Sequence, residues 1–331
     1  MSSEPPYAGL TPDTVLDALA SAGIAGDGRL LALNSYENRV YQVWLDDPEN
    51  ARHSVVAKFY RPGRWSEAQI LEEHGFAAEL AEREIPVVAP LVAGGTTLHR
   101  FGGFLFAVYP RRGGRTPELE DPETLEWMGR FIARIHAVGA LRPFAGRPAL
   151  DIESFGREPR EWLLGHGFIP ADLLDAWRSV ADLALASVAR CYERAGDVRT
   201  LRLHGDCHAS NVLWTDEGPH FVDFDDCRSG PAVQDLWMLL SGDRASMTRQ
   251  LSDVLAGYED FAEFDPRELH LLEALRTLRL IHYSAWLARR WDDPAFPAAF
   301  PWFNSQRYWQ DRILELKEQV SLMDEDPLSV A

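Results

Sequence analysis

The residues most able to do chemistry lie in Leu203-His204-Gly205-Asp206-Cys207-His208-Ala209-Ser210-Asn211 and in Phe221-Val222-Asp223-Phe224-Asp225. An aspartate, an asparagine five positions on, and a second aspartate ending a short apolar run are what phosphoryl transfer needs. In that chemistry Asp206 orients and deprotonates a hydroxyl, while Asn211 and Asp223 hold Mg²⁺ against nucleotide phosphates. Mg²⁺ takes hard oxygen ligands and keeps several waters, so one Asp and one Asn suffice as the protein's share. Each residue taken singly is also an ordinary turn former. The spacing of all three favours the metal–nucleotide reading. His204, Asp206, Cys207 and His208 give a second reading, as transition-metal ligands of a hydrolase. No fourth ligand cluster accompanies them in the sequence, which favours phosphoryl transfer.

A nucleotide site also needs a cation. Lys58 is a lone lysine in the strand-like Val55-Val56-Ala57-Lys58-Phe59-Tyr60, on the same pleat face as Val56 and Tyr60. A buried ammonium requires an anionic partner; the alternative is an edge-strand lysine that discourages aggregation. Ser66 and Gln69 have capping-box spacing and open a helix. On that helix Ile70, Phe76, Ala77, Leu80 and Ala81 define one face, with Glu73 near its centre and Glu72 and Glu79 pointing away. Glu73 is therefore the expected partner of Lys58, as in the lysine–glutamate pair that positions nucleotide phosphates. Asn34–Arg39 lacks a Gly-x-Gly-x-x-Gly, so phosphate contacts there fall to Ser35 or Asn38. Val108, Tyr109 and Arg111 are the expected contacts to the nucleotide base. Asp235 reads either as a helix N-cap or as a buried carboxylate that braces the Asp206 loop.

These pieces sit on a plan that changes character once. Thr11-Pro12 opens a helix that Gly23 closes. Strand patterns follow at 30–45, 54–60, Val87-Val88 and 104–108, with a turn at Asp46-Asp47-Pro48-Glu49-Asn50. Beyond Arg111–Arg115 the sequence becomes helical: from Asp121-Pro122 to Gly139, roughly 171–195, and from Asp235 onward, apart from the short strands carrying the opening motif. A β-rich N-terminal lobe with one inserted helix, residues 1–110, and a mainly helical C-terminal lobe, residues 111–331, are expected.

The net charge of −18 over 331 residues argues against a nucleic-acid partner. Three unpaired cysteines suit a reducing compartment. Met1–Pro6 has no leader pattern, and no uncharged run approaches a membrane span. A monomeric cytoplasmic protein without nucleic-acid or membrane partners is expected.

The Leu203–Trp214 and Phe221–Asp226 segments, with Gly230-Pro231-Ala232-Val233-Gln234-Asp235-Leu236-Trp237 and Phe59-Tyr60-Arg61-Pro62-Gly63-Arg64-Trp65, resemble the stress response kinase A family. The resemblance covers about residues 30–315. It implies an α+β, bilobal, protein-kinase-like fold shared with aminoglycoside phosphotransferases and choline kinases. It implies a bacterial stress-linked Ser/Thr protein kinase using ATP and Mg²⁺. By the same resemblance Asp206 is catalytic, Asn211 and Asp223 bind Mg²⁺, and Lys58, paired with Glu73, binds the ATP phosphates. Two departures from the protein-kinase pattern stand out. His-Gly-Asp replaces His-Arg-Asp, and Asp-Phe-Asp replaces Asp-Phe-Gly. Only a dozen residues separate Asp223 from Asp235, too few for a long phosphorylation-gated segment, so a constitutively assembled site is expected. The rival readings are a small-molecule kinase acting on an amino alcohol, sugar or aminoglycoside, and a catalytically silent nucleotide-binding interaction module.

Overall fold

The computed structural model describes residues 5–47, 49–50 and 52–329; Met1-Ser2-Ser3-Glu4, part of the segment without a leader pattern, and Pro48 of the expected turn lie outside them. In chain order the elements are α1 (Pro12–Ser21), β1 (Gly26–Leu33), β2 (Arg39–Leu45), β3 (Ser54–Phe59), α2 (Glu67–Glu82), β4 (His99–Phe101) and β5 (Phe104–Pro110). Then come α3 (Pro122–Gly139), α4 (Glu158–Gly165), α5 (Leu174–Ala195), β6 (Leu201–Leu203), β7 (Val212–Thr215), β8 (Gly218–Phe221) and β9 (Arg228–Gly230). The chain finishes with α6 (Val233–Trp237), α7 (Arg244–Tyr258), α8 (Leu272–Arg289), α9 (Ala295–Ala299) and α10 (Gln306–Asp324). Two compact units result. One runs from the N-terminus to Pro117 and takes in Ala145–Arg147 and Ser210–Asp225; the other holds Glu118–Phe144, Pro148–Ala209 and Asp226 onward.

The first unit is built on an antiparallel sheet in the order β1-β2-β3-β5-β4. The pleat sends alternate side chains to opposite faces. Val55, Ala57 and Phe59 of β3 go to one face, where they join Val43, Phe104, Phe106 and Val108 under Val15, Ala18 and Leu19 of α1. Lys58 goes to the other. There Tyr60 and Ala107 pack with Ile70 of α2. A complete capping box fixes the start of α2: Gln69 N–H donates to Ser66 Oγ, and the Gln69 side chain accepts from Ser66 N–H. Val87-Val88 forms only a single parallel bridge to Phe221 rather than a strand. Pro86 and Pro90 on either side lack the N–H groups a longer ladder would use. The β7–β8 hairpin completes the unit.

The second unit is mainly helical. Leu125, Met128, Ile132 and Ile135 form the buried stripe of α3. Helix α3 meets α7 with almost no side chain between them, because Gly129 and Gly257 stand at the crossing. A Cβ on Gly257 would lie 1.9 Å from the Glu126 carbonyl oxygen, and one on Gly129 would lie 1.9 Å from that of Val254. Strands β6 and β9 pair antiparallel and carry the Asp206 loop at the end of β6. Among the described residues no helix is long and apolar enough to cross a membrane. Gly257→Ala should force α3 and α7 apart and cost at least ~2 kcal/mol, read as a lowered thermal unfolding midpoint. An unchanged midpoint would refute so close a crossing.

Candidate active site

In the first unit the structure gathers Lys58, Glu73 and Asp223. The Lys58 ammonium, on a side chain only 8% exposed, lies 2.9 Å from Asp223 Oδ1, 3.3 Å from Asp225 Oδ1 and 3.5 Å from Glu73 Oε1. Burial disfavours its charge, but the Asp223, Asp225 and Glu73 carboxylates overcome that and hold the ammonium firmly protonated. Burial likewise pushes Glu73 up; Lys58 and Arg147 oppose it while Asp225 and Asp223 add to it, leaving Glu73 at about 7. Asp223 follows Phe221-Val222 in a left-handed conformation (φ 61°), which Asp tolerates better than most residues, and its side chain remains 52% exposed. The Asn211 carbonyl accepts from Val222 N–H at 3.0 Å, tying the two candidate metal ligands to adjacent segments.

Asp225, the second acid of Asp-Phe-Asp, joins this cluster although the sequence does not mark it as a site residue. It is buried, accepts from Asn38 Nδ2 at 3.2 Å and from the Arg64 guanidinium, and pairs with Lys58. Asn38 Oδ1 in turn accepts from Arg61 N–H at 3.1 Å, so Asp225 anchors the bend that precedes β2. Ser35 lies in the same connection between β1 and β2 and is half-buried. The expected base contacts are placed differently from one another. The Val108 side chain lies in the α1 core, and its carbonyl accepts from Leu91 N–H at 2.7 Å. Tyr109 Oη meets Tyr60 Oη at 2.9 Å, and Tyr60 Oη meets His74 Nε2 at 2.7 Å, a buried polar chain on the Lys58 face. Arg111 is exposed and donates to Gln42 Oε1 at 3.4 Å and to the Arg112 carbonyl.

A short segment from far along the chain locks α2. Glu72 accepts backbone N–H bonds from Ala145, Gly146 and Arg147 at 2.6, 2.8 and 2.8 Å, and Gln69 Nε2 donates to the Gly146 carbonyl at 2.8 Å. Glu72 does point away from the apolar face, yet it is a clamp rather than a solvated charge. The buried Arg147 guanidinium stands 3.9 Å from Glu73 Oε2 and lies 4.2 Å from the Trp65 ring centroid. It also donates to the Asp225 carbonyl.

In the second unit the Asp206 carboxylate has Arg279 Nη1 2.7 Å from Oδ1 and His208 Nε2 3.3 Å from Oδ2. Burial pushes its carboxyl up, but the His208 hydrogen bond and the Arg279 charge prevail and bring it to about 2. The loop is braced by Asp235, a fully buried carboxylate that accepts from Gly205 N–H at 2.8 Å and His204 N–H at 2.9 Å. His136 Nε2 adds a third contact at 3.1 Å. Asp235 lies inside α6, so it braces the loop and does not cap the helix. Gly205 has φ +84°, and a Cβ there would lie 2.3 Å from the Asp226 carbonyl oxygen. That is why His-Gly-Asp, and not His-Arg-Asp, fits this turn. Cys207 is fully buried, and burial followed by the Asp235 and Asp206 charges pushes its thiol well up, away from redox reactivity.

Comparison with known proteins places this assembly. A model of the phosphotransferase enzyme family matches residues 29–272. Stress response kinase A of Salmonella choleraesuis is 47% identical over 321 residues, 97% of this chain and 96% of its own. The chain belongs to the stress response kinase A family. It is a phosphotransferase. A second relative of this family member, the serine/threonine protein kinase RdoA of Salmonella typhimurium, matches with the same identity and coverage. Among solved structures, an amicoumacin kinase in complex with AMP-PNP, Ca²⁺ and Ami aligns with TM-score 0.70 at 18% identity, covering 94% of this chain and 93% of its own. A microcompartment-associated aminopropanol kinase aligns at 0.69 and 20% identity, covering 93% and 95%. Both share the fold of this family member.

Two outcomes follow from the geometry. Glu73 has a folded pKa above its ordinary 4.5, so its contribution to stability is present at low pH and lost as pH rises through about 7. Glu73→Gln should therefore gain stability relative to the parent as pH rises from about 5 to about 8, read by urea unfolding. A constant difference across that range would show that Glu73 is not so perturbed. Asp235→Asn leaves one of two backbone N–H groups facing an amide NH₂, and should cost ~3 kcal/mol with loss of turnover. Parental stability and turnover would rule the brace out.

Proposed function

We propose that this family member is an ATP- and Mg²⁺-dependent Ser/Thr protein kinase acting in a bacterial stress response. The observation that carries the reading is the buried Lys58 ammonium flanked by Glu73 and Asp223 at 3.5 and 2.9 Å, the arrangement that fixes nucleotide phosphates. The kinship with a relative named a serine/threonine protein kinase supports a hydroxyl on protein as acceptor. The amicoumacin kinase of like fold, solved in complex with AMP-PNP and Ca²⁺, supports a nucleotide with a divalent cation.

Asn211 and Asp223 are the residues that would hold Mg²⁺. An amide and a carboxylate oxygen on tied segments, the carboxylate half exposed, are a hard donor set that suits it. When bound, Mg²⁺ supplies charge neutralisation for the β- and γ-phosphate oxygens. Lys58, held by Glu73, binds the α/β-phosphates. Ser35 and backbone groups of Val108, Tyr109 and Arg111 are assigned to the remaining phosphate and base contacts. Asp206, ionised with a pKa of about 2, orients the acceptor hydroxyl. The hydroxyl oxygen bonds to the γ-phosphorus as the bond to the β–γ bridging oxygen breaks, and the hydroxyl proton passes to Asp206. Catalysis rests on positioning and electrostatics.

A small-molecule acceptor is the second reading, favoured by the shared fold with an aminopropanol kinase and by the net charge of −18, which suits a cationic alcohol. The deciding experiment incubates the chain with γ-labelled ATP and Mg²⁺, alone, with casein, and with an amino-alcohol panel. Label on Ser or Thr, absent in Asp206→Ala, is expected. Asp206→Ala should lower transfer by about 10³-fold or more and still bind ATP, whereas Asp223→Ala should abolish Mg²⁺-dependent ATP binding. ADP release only with an amino alcohol would replace the protein-kinase reading; full turnover in both variants would end the phosphotransfer assignment to these residues.

A further inference from the structure

The transfer step proposed for this site gives Arg279 no part, yet Arg279 is in direct contact with the Asp206 carboxylate. It lies on α8, whose Leu275, Leu278, Ile281 and Ala285 are buried and hold the helix in register. Its guanidinium reaches Asp206 Oδ1 at 2.7 Å, with the side chain still 39% exposed. Other arginines of the same region are engaged elsewhere: Arg276 pairs with Glu273 at 3.0 Å, Arg289 with Glu158 at 3.1 Å and Arg228 with Asp226 at 2.7 Å. Arg279 is thus a half-exposed cation on the carboxylate that is proposed to receive the acceptor.

The geometry of transfer then constrains what that cation does. A hydroxyl that donates to Asp206 stands about 2.7 Å from a carboxylate oxygen. The phosphorus it attacks lies about 3–3.5 Å beyond in a reactive arrangement. A guanidinium anchored on the same carboxylate is therefore beside the path of the phosphoryl group. It presents five N–H donors in a rigid fork, more than one carboxylate oxygen can occupy. Negative charge on the equatorial phosphoryl oxygens is met best by a cation already in position, which needs no reorganisation during the step.

We propose that Arg279 is a further catalytic residue, anchored by Asp206 and donating to the phosphoryl group as it passes to the acceptor oxygen. This rests on the assignment of Asp206 to the acceptor hydroxyl. Asp206 also has His208 as a partner, so holding that carboxylate is not left to Arg279 alone.

The test compares Arg279→Gln and Arg279→Lys with the parent, using the full chain, ATP and Mg²⁺, and following ADP release with casein, with 1-amino-2-propanol and with water alone. Arg279→Gln is expected to lower kcat on the order of 10²-fold or more in whichever arm the parent turns over, as for other transition-state cations. KM for ATP should stay within about twofold, and Arg279→Lys should recover part of the loss. The loss should be the same from about pH 6 to pH 9, because the role is to carry charge rather than to keep Asp206 ionised. A kcat within about threefold of the parent overturns the inference alone. So does a loss that disappears at high pH, which would make Arg279 a positioning residue for Asp206. A parent chain that releases no ADP in any arm overturns the phosphotransfer reading and this inference with it.

Discussion

Burying the Lys58 ammonium is the constraint around which the first unit is arranged. A charge removed from water is tolerated only when counter-charges and hydrogen bonds surround it. Three carboxylates do so here, Glu73 from α2, Asp223 two residues past the end of β8 and Asp225 from the turn beyond it. Those acids need cations of their own, and the Arg64 and Arg147 guanidiniums supply them. The left-handed backbone at Asp223, the Asn38 side chain on Asp225 and the capping box that sets the register of α2 all serve the same cluster. The sheet's other face, packed under α1, is ordinary hydrocarbon core and supplies the rigidity.

The second unit solves a comparable problem with one carboxylate. Asp235 collects two consecutive backbone N–H groups and a histidine ring, so the loop after β6 holds its shape without a long ladder. Gly205 completes the turn, since only a residue without Cβ clears the Asp226 carbonyl. Asp206 emerges from this braced loop with its charge secured by Arg279 and His208.

How much of this can be read from the sequence depends on the range of the interaction. The Lys58–Glu73 contact is legible because both periodicities are local: the pleat places Lys58 and the helical wheel places Glu73. The cap of α2, the stripe of α3 and the bracing role open to Asp235 are legible for similar reasons. Asp225 carries only a weak signal, two acids spaced two apart behind an apolar run, too slight to mark it. Arg147 and Arg279 carry none. Each meets its carboxylate through packing of segments more than 70 residues apart in the chain, Arg147 with Glu73 and Arg279 with Asp206. Composition likewise offers no hint that Ala145–Arg147 and Ser210–Asp225 pack with the first unit. The expected Val87-Val88 strand fails because β-branched residues attract that assignment even where flanking prolines forbid a ladder.

The tie between α2 and Ala145–Arg147 bears on how such an enzyme can be switched. Swinging this helix outward would break the three bonds to Glu72 and the one from Gln69 together, and would draw Arg147 off the Trp65 ring. Bonds lost in one concerted movement compound their cost, so the helix behaves as a strut and not as a lever. The number of molecules present and the supply of acceptor can both vary without straining that strut. Control exerted through either would leave every one of those bonds intact.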